Sequence, residues 1–305
     1  MEEIIDTVHI NFDANTLWTL NVALGLVMFG IALEISVNDF KQLLQRPKLV
    51  LTGVCSQFLA LPLVTFILVW LAEPLPSVAL GMFMVAACPG GNISNFITHL
   101  ARGNAALSVT LTAIATLLAI VMTPMNLQFW GSLYEPTEKI LQAVAISPFK
   151  MIKLVALLLG LPLLLGMWLN NKKPQLALKM AKFFKIGSLV FFVALIFLAL
   201  YKNKEIFLDY VFYVFWLVVL HNLVAFFTGF SIAKAMGFSK PNARTITIET
   251  GIQNSGLGLL LIFTFFDGLG GMAIITAFWG IWHLISGLVL AGLWGYRPLE
   301  KEELV

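Results

Sequence analysis

Charged residues are scarce in this chain of 305 residues. They make up 11% of the sequence, whereas hydrophobic residues make up 59%. A soluble domain carries about 25% charged residues. Charge-free stretches long enough to cross a bilayer, which takes about 20 apolar residues, recur along the whole sequence. This composition excludes an ordinary soluble domain and predicts an all-α polytopic membrane protein, integral to a plasma or inner membrane.

Cysteine is nearly absent as well. Cys55 and Cys88 are the only two, and both lie in apolar stretches, which gives neither a disulfide framework nor a Cys/His metal site. The motifs of zinc proteases, serine hydrolases and P-loop proteins are also missing. The net charge of +3 gives no reason to expect a nucleic-acid partner. We therefore expect a protein that is not an enzyme, has the lipid bilayer as its surroundings and requires no oligomer.

Hydrophobic runs predict nine membrane-spanning helices. Their approximate bounds are 16–36, 49–72, 78–101, 105–128, 151–169, 184–201, 208–233, 243–266 and 271–295. Fourteen of the 19 Lys and Arg residues fall on one side of this arrangement and five on the other. The positive-inside rule then predicts an external N-terminus and a cytoplasmic C-terminus.

Two of these spans are interrupted by residues that disfavour helix. The third contains CPGGNISN at 88–95, and the eighth contains ETGIQNSG at 249–256. Proline lacks an N–H, and glycine is the weakest helix former after proline. Backbone groups freed by such a break cannot face lipid, so they must be buried in protein or line a wet cavity. The third and eighth of the nine spans are five apart, an odd number, so the two breaks run in opposite directions, which predicts inverted repeats of three spans each.

Glu249, beside the second break, is the residue that most suggests chemistry. A carboxylate at bilayer depth is costly and usually marks an ion path. Gln253 and Asn254 follow within about one turn, and such hard oxygen ligands suit a hard cation such as Na⁺. The alternative is an interfacial glutamate paired with Arg244, five residues away. Glu249 could also carry a proton.

Further oxygen-bearing side chains lie near the breaks. Ser108 and Thr112 are four residues apart and share a helix face, while Ser94 and Asn95 follow the first break. Together with Glu249 they could strip the water from one Na⁺. The alternative for Ser108 and Thr112 is close packing of small residues between helices.

Three other polar positions could contact an ion or the substrate, and two of them have an alternative interpretation. Gln57 could coordinate an ion, although its isolated position favours a hydrogen bond to a neighbouring helix. Asn92 opens the half-helix after the first break, where free N–H groups attract anions. His283, in the span after the second break, could contact substrate, but a lone histidine in a span is more often a core residue.

The chain resembles the sodium–bile acid symporter family. The residues that carry the resemblance are 89–95, Leu107 and Ser108 with Thr112, Thr123 with Pro124, and 249–256. It extends through Phe40 with Pro47, Gln57 with Pro62, 101–104, His221 with Asn222, and Trp282 and His283 with Ser286 and Gly287. The resemblance implies one transport domain, 1–305, in which two unwound helices cross. Its core would comprise spans 49–128 and 208–295, and its panel would comprise 16–36 and 151–201.

The same resemblance implies two sodium sites and a substrate site. The first sodium site would use Ser94, Asn95, Ser108, Thr112 and Glu249. The second would use the side chains of Gln57, Glu249 and Gln253 and the carbonyl groups of Thr250 and Ile252. Substrate would contact the half-helix ends near Asn92 and Asn254, with His283 nearby.

These observations predict a sodium-coupled symporter of an organic anion, a bile acid or a smaller carboxylate, working by alternating access. Two Na⁺ against one Glu249 carboxylate leave one positive charge, which an anionic substrate would offset. Proton coupling through Glu249 is the alternative. An intramembrane enzyme is the rival class, but it needs a second carboxylate or a nucleophile with a base. Ser94 and His99 are five residues apart on a helix, which is a poor geometry for such a pair.

Overall fold

The computed structural model describes residues 45–144, 148–184 and 204–296, with scattered positions between 22 and 35 and residues 187 and 190. Side chains at 92, 145–148 and 204–211 are not described. Within these ranges the chain forms helices and no β-strand, apart from one isolated bridge between two residues. The all-α class predicted from the composition is therefore confirmed.

Eleven helices are numbered here in chain order. They are α1 (Pro47–Ala72), α2 (Pro76–Ala87), α3 (Asn92–Leu100), α4 (Ala105–Leu133), α5 (Glu135–Val144), α6 (Phe149–Lys172), α7 (174–184), α8 (Lys204–Ala235), α9 (Lys240–Gly251), α10 (Ser255–Phe265) and α11 (Gly270–Gly295).

Among the described helices, α1, α4, α6, α8 and α11 are long and apolar enough to cross a bilayer. The shorter α2 and α10 are also apolar. These helices make the chain a polytopic membrane protein. The predicted spans 16–36 and 184–201 fall largely outside the described residues.

The helix α1 contains a π-helical turn at Ser56–Ala60, which is followed by Leu61 and Pro62. Because proline has no N–H, the carbonyl of Phe58 cannot accept the usual helical hydrogen bond. Asn126 Nδ2 of α4 donates to Phe58 O instead, at 3.0 Å. The π turn buries Gln57 completely, and such turns recur at functional sites.

The segments that flank the two breaks are enclosed by protein. In α2, residues 77–87 are all buried, and in α9, residues 243–251 are all buried. The helix α2 packs against α4 and α11, while α9 packs against α4 and α8. Small residues allow the close approach: a Cβ added to Gly229 of α8 would lie 2.9 Å from the carbonyl oxygen of Ile246. The breaks therefore lie within the bundle rather than against lipid.

Replacing Asn126 with alanine is expected to lower the free energy of unfolding by about 1–3 kcal/mol, because the buried Phe58 carbonyl loses its donor. Thermal unfolding of the purified protein in detergent measures this change. Gln128→Ala is the control, since Gln128 lies on the same helix and donates to Ser132 Oγ at a partly exposed position. Equal losses in the two variants would contradict the role given to Asn126.

Candidate functional site

The two breaks meet in the interior. Gly90 and Gln253 form an antiparallel bridge, and the backbone N–H of Asn254 donates to the carbonyl of Pro89 at 2.8 Å. The half-helices α3 and α10 begin on either side of this crossing, at Asn92 and Ser255. The crossing therefore brings the ends of four half-helices, α2, α3, α9 and α10, to one place.

Glu249 lies fully buried in the last turn of α9, beside the crossing. Ser94 Oγ donates to Glu249 Oε1 at 2.6 Å, and Ser108 Oγ is 2.5 Å from the same oxygen. Thr112 Oγ1 is 3.3 Å from Glu249 Oε2. Three hydroxyl groups, from α3 and α4, thus converge on one carboxylate.

The amide oxygen of Asn95 joins this group. Ser108 Oγ is 2.7 Å and Thr112 Oγ1 is 3.2 Å from Asn95 Oδ1. A hydroxyl group has one proton, yet Ser108 Oγ lies within hydrogen-bond distance of both Asn95 Oδ1 and Glu249 Oε1. The five oxygen–oxygen contacts in this cluster therefore outnumber the three hydroxyl protons that could bridge them, and a cluster of this kind can hold a hard cation.

The interfacial pair proposed for Glu249 is not the arrangement found. Arg244 Nη1 donates to the carbonyl of Ala101 at 2.8 Å, and the guanidinium group lies 5.7 Å from the ring centre of Trp294. Over the described ranges, no lysine or arginine is within ion-pair distance of Glu249. The charge of a Glu249 carboxylate is therefore left to hydroxyl donors and to whatever cation enters the cluster.

Three side-chain amides donate to the consecutive carbonyl groups that end α9. Gln57 Nε2 donates to Glu249 O, Gln253 Nε2 to Thr250 O and Asn222 Nδ2 to Gly251 O, each at 2.8 Å. The last carbonyl groups of a helix have no partner within it. These amides supply the missing donors, and they also fix the direction in which each amide oxygen faces.

Two of those amide oxygens are buried without a hydrogen-bond partner among the described residues, namely Gln57 Oε1 and Gln253 Oε1. They belong to the residues that were predicted, with Glu249, to form a second ion site. Gly90 lies between two members of this group. A Cβ added to it would be 2.8 Å from Glu249 Oε2 and 2.9 Å from Gln57 Nε2. The Thr250 carbonyl is engaged by Gln253, while Ile252 is buried in extended backbone.

The predicted substrate residues are less tightly grouped. Asn254 caps α10, its Oδ1 accepting from the Leu257 N–H at 3.0 Å. The backbone of Asn92 begins α3, but its side chain lies outside the described part of the structure. His283 is buried on α11, and its Nδ1 has no hydrogen-bond partner within the described ranges. One turn further along α11, Gly287 packs on Ile252, so His283 lies on the face of α11 directed towards the break.

Sequence reasoning missed Thr98 and gave no role to Asn222. Thr98 is fully buried, and its Oγ1 is 3.3 Å from Ser108 Oγ. The spacing of four residues from Ser94 to Thr98 was a usable signal, because it places both on one face of α3. Asn222 lies far along the chain from the break that it contacts, and no local pattern reveals that contact.

Comparison with known proteins gives consistent similarities. Residues 21–210 match the family model described as the sodium bile acid symporter family. The chain is 32% identical over 283 residues to YocS of Bacillus subtilis, named an uncharacterized sodium-dependent transporter, covering 93% of this chain and 85% of YocS. It is 31% identical over 285 residues to the probable sodium/metabolite cotransporter BASS1 of Arabidopsis thaliana, covering 91% and 66%. The human ileal sodium/bile acid cotransporter is 29% identical over 244 residues, covering 78% and 67%.

Gly90→Ala and Gly91→Ala are expected to differ. A methyl group on Gly90 would displace Glu249 or Gln57, whereas on Gly91 it would meet its nearest atom, Asn254 Cα, at 3.9 Å. Gly91 has φ −108°, which other residues adopt without strain. We expect Gly90→Ala to reduce the rise in melting temperature that NaCl produces, and Gly91→Ala, the matched control, to retain it. The same response to NaCl in both variants would contradict the conclusion that Gly90, unlike Gly91, leaves space needed by Glu249 and Gln57.

Proposed function

Because this chain belongs to the sodium bile acid symporter family, we propose that it carries an organic anion across a membrane by sodium-coupled symport. Its relatives are transporters, not enzymes. The observation that carries the proposal is the cluster of oxygens around the fully buried Glu249. A buried carboxylate of this kind, inside a membrane bundle and beside two broken helices, is typical of a coupling-ion site.

The first sodium ion would bind among Ser94, Asn95, Ser108, Thr112 and Glu249. Their oxygens come from α3, α4 and α9 and lie within hydrogen-bond distance of one another. Thr98 stands at the edge of the same cluster. An ion at its centre would accept lone pairs from all these oxygens while the hydroxyl groups keep their protons, which is the coordination that hard cations favour.

The second sodium ion would use the other oxygen of the same carboxylate. Glu249 Oε1 is approached by Ser94 and Ser108, whereas Oε2 lies on the side of Gly90. The unpartnered amide oxygens of Gln57 and Gln253 would complete this site with the carbonyl groups of Thr250 and Ile252. Thr250 O would then serve both the ion and the Gln253 amide. Carbonyl oxygens have two lone pairs, so these roles are compatible.

Charge favours an anionic substrate. Two Na⁺ and one Glu249 carboxylate leave one positive charge, and the N-termini of α3 and α10 add positive dipole ends at the crossing. The substrate, a bile acid or a smaller carboxylate, would bind near Asn92 and Asn254, with His283 adjacent. In this arrangement the cations and the substrate stabilise each other's binding, which is the basis of coupling.

Alternating access would rest on the inverted repeats proposed for 49–128 and 208–295. The packing supports them, because the first half of each broken helix packs against the last helix of the other repeat: α2 against α11, and α9 against α4. Nine spans, a panel formed by 16–36 and 151–201, an external N-terminus and a cytoplasmic C-terminus complete this proposal.

Sodium should stabilise the purified protein, and potassium should not. At a hundredfold excess over the dissociation constant, ligand linkage contributes about 2.7 kcal/mol to stability. The melting temperature measured in NaCl and KCl at equal ionic strength tests this, followed by a screen of organic anions with and without Na⁺. Equal shifts of the melting temperature with both salts would overturn sodium coupling. Uptake driven by a pH gradient in the absence of Na⁺ would indicate proton coupling instead.

Glu249→Ala should abolish sodium-driven uptake while the protein still inserts in the membrane, because both proposed ions lose their carboxylate. Glu249→Gln should do the same if the ion is Na⁺. If Glu249 carries a proton instead, the glutamine variant retains substrate exchange. Glu135→Gln is the matched control, since Glu135 is 78% exposed and pairs with Lys139. Uptake in reconstituted vesicles is the measurement, and normal sodium-dependent uptake in either Glu249 variant would remove Glu249 from the mechanism.

A further inference from the structure

Asn222 is a fully buried amide of α8 that contacts the second break. Its Nδ2 donates to the carbonyl of Gly251, the last residue of α9. Its Oδ1 accepts a hydrogen bond of 2.6 Å from Ser286 Oγ of α11. Because the hydroxyl donates to the amide oxygen, the amide nitrogen is held towards α9. Three helices are thereby joined at the carbonyl that precedes the unwound residues.

Gly251 lies between the two residues whose carbonyl groups were assigned to the second sodium ion, Thr250 and Ile252. On one side, Gly251 packs against the ring of Phe226, which lies one turn after Asn222. A Cβ added to Gly251 would overlap this ring. The direction of the Gly251 carbonyl is enforced by the Asn222 amide. Rotating this peptide group would break the Asn222 hydrogen bond, so the bond favours the present directions of the neighbouring carbonyl groups as well.

We propose that Asn222, oriented by Ser286, is a positioning residue that holds the end of α9 in the geometry needed to bind sodium. The inference rests on the proposed function and adds a residue that has no contact with the ion. It differs from the role of Gln57 and Gln253, whose buried amide oxygens have no hydrogen-bond partner among the described residues and are assigned to the proposed ion. The Asn222 oxygen is already occupied by Ser286, so Asn222 acts through the backbone alone.

Removing the Asn222 amide leaves the Gly251 carbonyl buried without its donor. The helix end can recover a donor only by changing its turn, and such a change rotates the carbonyl groups on either side of Gly251. We expect the sodium concentration for half-maximal stabilisation to rise about tenfold in Asn222→Ala, which corresponds to about 1.4 kcal/mol of lost binding. Substrate affinity at saturating sodium should change little, because the N-termini of α3 and α10 remain in place.

The experiment titrates NaCl at constant ionic strength against the full-length protein in detergent, with the melting temperature as the readout. The variants are Asn222→Ala, Ser286→Ala, Ser286→Thr and the double alanine variant. Asn170→Ala is the matched control, because Asn170 Nδ2 makes the same kind of bond, to the carbonyl of Ile35 at 2.9 Å, away from the crossing. Asn170→Ala should lower the melting temperature without moving the sodium midpoint.

The outcomes separate the inference from the proposed function. Ser286→Ala should raise the sodium midpoint less than Asn222→Ala does, Ser286→Thr should restore it, and the double variant should match Asn222→Ala, since the two residues act as one unit. A lower melting temperature with an unchanged sodium midpoint in Asn222→Ala would overturn the inference. If that variant does not fold, an unchanged midpoint in Ser286→Ala overturns it. An unmodified protein that shows no sodium-specific stabilisation would refute the proposed function itself.

Discussion

The carbonyl groups at the end of α9 impose the constraint on which the site depends. A helix that stops inside a membrane bundle leaves its last carbonyl groups without helical partners, and neither lipid nor bulk water can supply donors there. Amides from Gln57, Asn222 and Gln253 supply them, one for each of three consecutive residues. An amide that gives its N–H to such a carbonyl keeps its oxygen for another purpose. The capping requirement thus orients the oxygens of Gln57 and Gln253, which are the ones available to an ion.

Glu249 and Gly90 connect the hydroxyl cluster of the site with its amide group, because the Glu249 carboxylate belongs to both. One carboxylate oxygen faces the hydroxyl groups of Ser94 and Ser108, while the other lies beside Gly90. The absence of a side chain at Gly90 leaves the space in which the Glu249 carboxylate and the Gln57 amide approach each other. Glycine at this position therefore serves the geometry of the oxygens, and helix breaking is only part of its role.

Composition and local pattern predict those features that depend on neighbours in the sequence. Scarce charge predicts the helical membrane class, and proline and glycine predict where α2 ends and α3 begins. Ser108 and Thr112, predicted to share a face, both approach Glu249. Features that depend on distant contacts escape such reasoning. Gln57 hydrogen-bonds a neighbouring helix, as its isolation favours, yet its oxygen stays unpartnered, so the two interpretations of it do not exclude each other.

The two broken helices, α2 with α3 and α9 with α10, are interrupted in a similar way but carry different side chains beside the crossing. Counted from the start of each half-helix, Asn95 of α3 corresponds to Gly258 of α10, and Ser94 to Leu257. The last turn of α2 offers only apolar side chains where α9 has Glu249. The Ala87 carbonyl, at the end of α2, accepts a hydrogen bond from the Thr123 hydroxyl. A hydroxyl group has no amide oxygen, so this cap offers an ion nothing comparable to Gln57 or Gln253. The half-helices α2 and α10 therefore form the apolar pair, with Gly258 of α10 packed near Met84 of α2, whereas the proposed ion ligands of the broken helices lie mainly on α3 and α9. In the proposed alternating-access cycle, a cation bound in this cluster would therefore join α3 to α9 through Ser94, Asn95 and Glu249.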